Sequence, residues 1–68
     1  MKDTILSFSL NGKNMFLRRM DMFGSPVITS IKKMARKFNK NELPSIIISL
    51  YKTYGKNNIK DIKPIKDK

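Results

Sequence analysis

Cysteine, histidine and tryptophan are all absent from these 68 residues. Without cysteine there is no disulfide and no thiolate nucleophile, and the loss of histidine as well removes the usual ligands of tetrahedral zinc. The commonest general base is missing too. Acids are few: Asp3, Asp21, Glu42, Asp61 and Asp67 are scattered, with no evident pair for acid–base work. No serine sits in a nucleophile elbow, and Gly12 and Gly24 form no phosphate-cradling loop. The composition therefore argues against an enzyme, and neither cofactor nor metal is expected. The longest aliphatic run, Ile46–Ile48, falls far short of the roughly 20 apolar residues of a membrane helix. Lys2 is not followed by the apolar region of a signal peptide, so a cytoplasmic protein is expected.

What the chain has in excess is positive charge. Fifteen Lys and Arg against five Asp and Glu leave a net charge of +10. Such an imbalance draws polyanions, because neutralising phosphates releases condensed counterions from nucleic acid. Acidic protein and anionic lipid surfaces respond to the same field. The length allows one domain, whose core at this size rarely supplies more than about 3–5 kcal/mol. With disulfides and metals excluded, a partner chain is the remaining support.

Residues 4–23 have an extended pattern. Ile5, Leu6, Phe8 and Leu10 are interleaved with Ser7 and Ser9, and Asn11-Gly12 then separates them from Met15, Phe16, Leu17 and Met20. Asn-Gly between apolar runs predicts a type I′ hairpin turn, which needs positive φ at both central residues. Thr4–Leu10 is thus expected to pair with Lys13–Phe23, a short helix over Lys13–Met22 being the alternative. Gly24-Ser25-Pro26 marks a boundary, with Ser as helix cap and Pro at the first helical position. Val27, Ile31, Met34, Ala35 and Phe38 recur at helical spacing, predicting a first helix from Pro26 to about Asn39. Lys32, Lys33, Arg36 and Lys37 spread over its opposite side without acidic partners, a face suited to phosphate.

A second helix is predicted from about Glu42 to Tyr54, with Asn41 as candidate N-cap, or else from Pro44. Gly55 is its stop. Leu43, Ile46, Ile47, Ile48, Leu50, Tyr51 and Tyr54 make it apolar over most of its circumference. So short a chain can hardly surround such a helix, so Ile46, Ile47, Leu50, Tyr51 and Tyr54 are expected to form a dimer interface. The compact domain is placed at residues 1–55. Residues 56–68 carry five lysines, two aspartates and three isoleucines at three-residue spacing. They are expected to be a mobile basic tail, with docking as an edge strand the alternative.

From Met15 to Lys56 the order of these features resembles the ribbon-helix-helix family of DNA-binding proteins. The features are a short strand (FLRRMDMF), a Ser-Pro helix start, an amphipathic helix (VITSIKKMARKFN), a short turn and an aliphatic helix ending in Tyr-Lys-Thr-Tyr-Gly-Lys. The resemblance implies a homodimer whose paired strands enter the major groove. By position it implies that Arg19 and Asp21 face base edges with Leu17 at the end of that row, Arg18 reading instead if the register slips. It also implies a phosphate on the amides near Asn41–Ser45, with Lys40 beside them. Whether residues 15–23 pair with residues 4–10 or with a symmetry mate is left open by the sequence.

The expectation is therefore a dimeric α+β protein in the order β-β-α-α that binds double-stranded DNA as a small regulator, such as plasmid or phage genomes encode. The alternative is an interaction module that docks on an acidic host protein and inhibits or redirects it. A membrane role is disfavoured, because the apolar face of the basic first helix would be consumed by packing.

Overall fold

Four antiparallel strands and one α-helix make up the computed structural model, which describes residues 3–66. The elements are β1 (Thr4–Leu10), β2 (Lys13–Met20), β3 (Pro26–Thr29), α1 (Leu43–Tyr54) and β4 (Ile59–Lys66). The sheet order is β3-β2-β1-β4. Three consecutive strands are neighbours, and the chain then crosses from one sheet edge to the other through α1. This is not the expected β-β-α-α order.

The β1–β2 hairpin forms as the Asn-Gly signal requires. Leu10 lies opposite Lys13, and Asn11 and Gly12 take φ of 51° and 85°. Those two positive angles give a two-residue turn the twist that its strands need. The second strand ends at Met20 rather than Phe23, and β3 lies along its other side, with Leu17 opposite Ile28 and Met20 opposite Pro26. Strand β2 is therefore flanked on both edges by its own chain. It pairs with β1 over Lys13–Phe16 and with β3 over Phe16–Met20, so the pairing that the sequence left open is made within the chain.

The expected first helix is the largest departure. Pro26–Thr29 is strand, Lys32–Met34 is a single 3-10 turn, and residues 35–39 are extended apart from a bridge. Val27, Ile28 and Thr29 are β-branched and fit a pleated surface better than a helix. The Thr29 hydroxyl accepts the Ile31 amide at 3.1 Å, a local bond that competes with helical pairing. Phe38 supplies the tertiary reason. β1 and β2 stop pairing beyond Ser7–Phe16, and there the Arg36 amide donates to the Leu17 carbonyl at 3.0 Å. The Phe38 amide donates to the Thr4 carbonyl at 2.8 Å. The connector thus closes the open end of the hairpin and drops Phe38 into the core. A helix over the same residues would leave those carbonyls unpaired.

Helix α1 matches the expected second helix. Its N-cap position is Glu42 rather than Asn41, and Gly55, at φ 91°, ends it with its amide on the Tyr51 carbonyl. The helix was expected to need another chain, but it packs on its own sheet. Ile46 and Leu50 are buried with Leu6, Phe8, Leu17, Phe38 and Ile59, and Leu43, Tyr51 and Tyr54 pack around that cluster. Burial contributes about 1.5–3 kcal/mol for each such aliphatic side chain. Ile46 and Leu50 are thus unavailable to a partner. Of the helix's large aliphatics only Ile48 is mainly exposed, so the surface accounting that called for a dimer is met within the chain.

The expected tail is a strand. Residues 59–66 form β4 along β1, with Ile59 opposite Leu10 and Ile65 opposite Ile5, and Ile59 is buried. The alternation is broken between Ser7–Lys63 and Ser9–Lys60 by a bulge, where Asp61 takes φ 55°. An inserted residue shifts side-chain parity. Ile59 and Ile62 therefore both reach the core despite their three-residue spacing. Lysines at 60, 63 and 66, with Pro64, line this edge strand and discourage pairing with further chains. Residues 67 and 68 of the expected tail lie outside the described residues.

Candidate nucleic-acid interface

The described residues include thirteen Lys and Arg, and every one is exposed. Among the described residues one ion pair forms, exposed Lys66 with half-buried Asp3 at 3.8 Å. Such a pair contributes little against solvent screening. The other acids serve mainly the backbone. Both the Phe23 and Ser25 amides donate to Asp21 Oδ1, at 2.9 and 2.8 Å. Glu42 Oε2 accepts the Asn39 amide at 2.8 Å, and Asp61 occupies the β4 bulge. The basic surface thus carries few ion pairs, although Glu42 lies in the cleft with Arg19 and Arg36, and Asp61 on the strand with Lys60 and Lys63.

The expected basic residues do not lie on one helix face, yet the fold brings several together. The Arg36–Leu17 backbone bond sets Arg36 and Lys37 beside the strand end that carries Arg18 and Arg19. Arg19 and Arg36 line one cleft, floored by Leu17, Met20, Phe38 and Ile46 with Glu42 at its side. Lys32 and Lys33 stand on the 3-10 turn that packs against β2. Strand β2 itself bulges between Leu17 and Arg19, which puts the two arginines out of simple alternation.

Other expected positions are placed differently. Asp21 lies beyond the end of β2, where its Oδ1 accepts two amides of its own loop. Lys40 and Asn41 lie in the 3-10 turn Lys40–Glu42, Lys40 near Asp3 and Lys66, Asn41 near Ser45 and Ser49. The helix start makes a poor phosphate cradle. Pro44 has no N–H to offer, and the Glu42 carboxylate stands at the same end.

Sequence reasoning missed two groups. The first is Lys60 and Lys63, which β4 carries opposite Ser9 and Ser7, themselves opposite Asn14 and Phe16 on β2. Ser7 Oγ, itself buried, donates to Asn14 Oδ1 at 3.2 Å, and the row Asn14–Ser9–Lys60 is polar across the sheet. The isoleucine spacing held that signal, obscured by the bulge. The second is the tip of the β2–β3 connection, where Met22 and Phe23 are 88% and 85% exposed. They had been assigned to the strand.

No helix among the described residues is long and apolar enough to cross a membrane. Comparison with protein families, with curated proteins and with solved structures gives no match.

Proposed function

We propose that this protein binds double-stranded DNA through its phosphates, using a basic surface centred on Arg18, Arg19, Arg36 and Lys37. The observation that carries this is the exposure of all thirteen described cations with a single ion pair among them. A surface built only for solubility interleaves both signs. Here cations far outnumber acids, and Asp21 and Glu42 are engaged by backbone amides, so phosphate is the complementary surface of high charge density.

Duplex is favoured over single strand by where the aromatics lie. Sheet proteins that bind single strands expose aromatic rings as stacking platforms. Phe8, Phe16 and Phe38 are buried here, Tyr51 and Tyr54 pack around the core, and the exposed ring of Phe23 stands on the β2–β3 loop rather than on the sheet face. Lys60 and Lys63 on the exposed edge strand suit backbone contact rather than base stacking.

Titration of a short duplex at several salt concentrations tests this. The logarithm of affinity should fall linearly with the logarithm of salt, with a slope of about 0.9 per phosphate contacted and several phosphates in total. Arg18→Ala with Arg19→Ala should lower that slope by about 2. A flat response, or no binding near 100 mM salt, where phosphate contacts of this number persist, would remove DNA as the partner.

A further inference from the structure

The β2–β3 connection is a short loop whose backbone is held from within. The Asp21 amide donates to the Ser25 carbonyl at 2.8 Å, and the Gly24 amide to the Asp21 carbonyl at 3.1 Å. The Asp21 carboxylate accepts two further amides from the loop, as described above. Gly24, at φ 80°, permits the reversal. At the apex of this braced loop stand Met22 and Phe23, the two most exposed large apolar side chains of the described chain.

Loop closure does not need them. The side chains of Met22 and Phe23 make none of the hydrogen bonds that hold the turn, and polar residues at 22 and 23 would close it equally well, since Phe23 contributes only its amide. Isolated exposed apolar residues are ordinary, but an adjacent pair on a rigid tip costs solubility and marks a contact surface. Its setting is cationic. At about 3.3 Å per residue, Arg19 lies roughly 10 Å along the chain from Met22. The nearest acid, Asp21, is engaged through Oδ1 by two amides of the loop itself.

We propose that this loop is a wedge: Met22 and Phe23 insert between neighbouring base pairs from the minor groove while Arg18 and Arg19 hold the flanking phosphates. This rests on duplex DNA being the partner proposed above. Proteins that kink DNA insert apolar side chains of this kind, and unstacking a step costs a few kcal/mol, which the added contacts must offset. Internal bracing lowers the cost further, because the tip is ordered before it binds. Two apolar side chains on a tip make no amphipathic face for a lipid surface. An acidic protein with an apolar socket is the competing occupant.

The test uses the full chain and a duplex carrying 2-aminopurine at alternating positions of one strand. Its emission rises when neighbouring bases unstack. The wild type should raise the emission, and Met22→Ser with Phe23→Ser should abolish the rise and weaken binding about tenfold. That double variant should keep the wild-type salt slope, since phosphate contacts are untouched. Phe23→Leu, which retains an apolar wedge, should retain most of the rise. Binding by the wild type without any rise overturns the wedge and leaves phosphate binding standing. So does a double variant that matches the wild type in both readouts, which would point the tip at an acidic protein instead. If the wild type fails to bind duplex at all, both proposals fall together.

Discussion

Two tight connections flank β2, and they are built differently. Asn11-Gly12 joins β1 to β2 with two residues, both at positive φ, and spends both on backbone geometry. The Asp21–Ser25 loop joins β2 to β3 with five residues, closed by the Asp21 carboxylate and the backbone groups of Asp21, Phe23, Gly24 and Ser25, with no part for the side chains at 22 and 23. The side chains of Met22 and Phe23 are left over. The first turn is explained completely by folding, whereas the second carries two large side chains for which folding gives no reason. A residue that is costly to expose and unnecessary for closure is the better guide to function than one that the turn demands.

The largest effect expected from altering either connection is at Asp21. Its carboxylate accepts two amides, and bonds of this kind to a charged acceptor stabilise more than neutral ones. Asp21→Ala should cost about 2 kcal/mol after allowance for exposure, lowering Tm by roughly 8–16 °C. Asp21→Asn keeps an acceptor without the charge and should fall between the two. Denaturant melts of the three proteins check this. If Asp21→Ala melts with the wild type, the second loop is not braced by its carboxylate and the contrast between the turns disappears.

Next in size come the glycines, where the two connections should behave alike. Gly12 and Gly24 have φ of 85° and 80°, and a methyl group added to either would meet nothing within 4 Å. Only the conformational penalty of a positive φ operates. Gly12→Ala and Gly24→Ala should each cost about 1 kcal/mol. A much larger loss at Gly12 alone would show that the first turn also sets the β1–β2 register.

The same contrast marks what was legible in the sequence. The hairpin at Asn11-Gly12 and the helix ending at Gly55 were readable because each is decided locally, by φ preferences and neighbouring apolar residues. The strand at Pro26–Thr29 was not, although its β-branched residues pointed that way. Val27, Ile31, Met34, Ala35 and Phe38 happen to recur at helical spacing, yet Ile31 and Met34 are exposed while Phe38 is buried. That stripe has no common face. What extends the connector is the gap between Thr4 and Leu17, a long-range demand that no window of residues displays. β4 was hidden similarly, since the bulge at Asp61 turned a strand's two-residue alternation into a spacing of three.

Candidate binding residues fared unevenly for the same reason. Charge and exposure are properties of single side chains, so Arg18, Arg19, Lys32, Lys33, Arg36 and Lys37 were readable as surface cations. Their grouping depends on the Arg36–Leu17 backbone bond and was not readable. Of the residues expected at a dimer interface on α1, Ile46 and Leu50 are buried in the chain's own core, where surface accounting had not placed them. That estimate omitted β3 and β4, which complete the sheet the helix packs on.

The smallest effect expected is the sharpest test of the comparison. Met22→Ser with Phe23→Ser removes two large apolar side chains, a change that in a core would cost several kcal/mol. Here they are 88% and 85% exposed, and little apolar area is returned to water when they are cut back. The amides of both residues are unchanged, and Phe23 N–H still has Asp21 as acceptor. Stability should therefore stay within about 0.5 kcal/mol of wild type. A loss as large as that of Asp21→Ala would mean that the pair packs against the molecule in solution. The second connection would then be as fully explained by folding as the first, and the tip would have no side chains free for a partner.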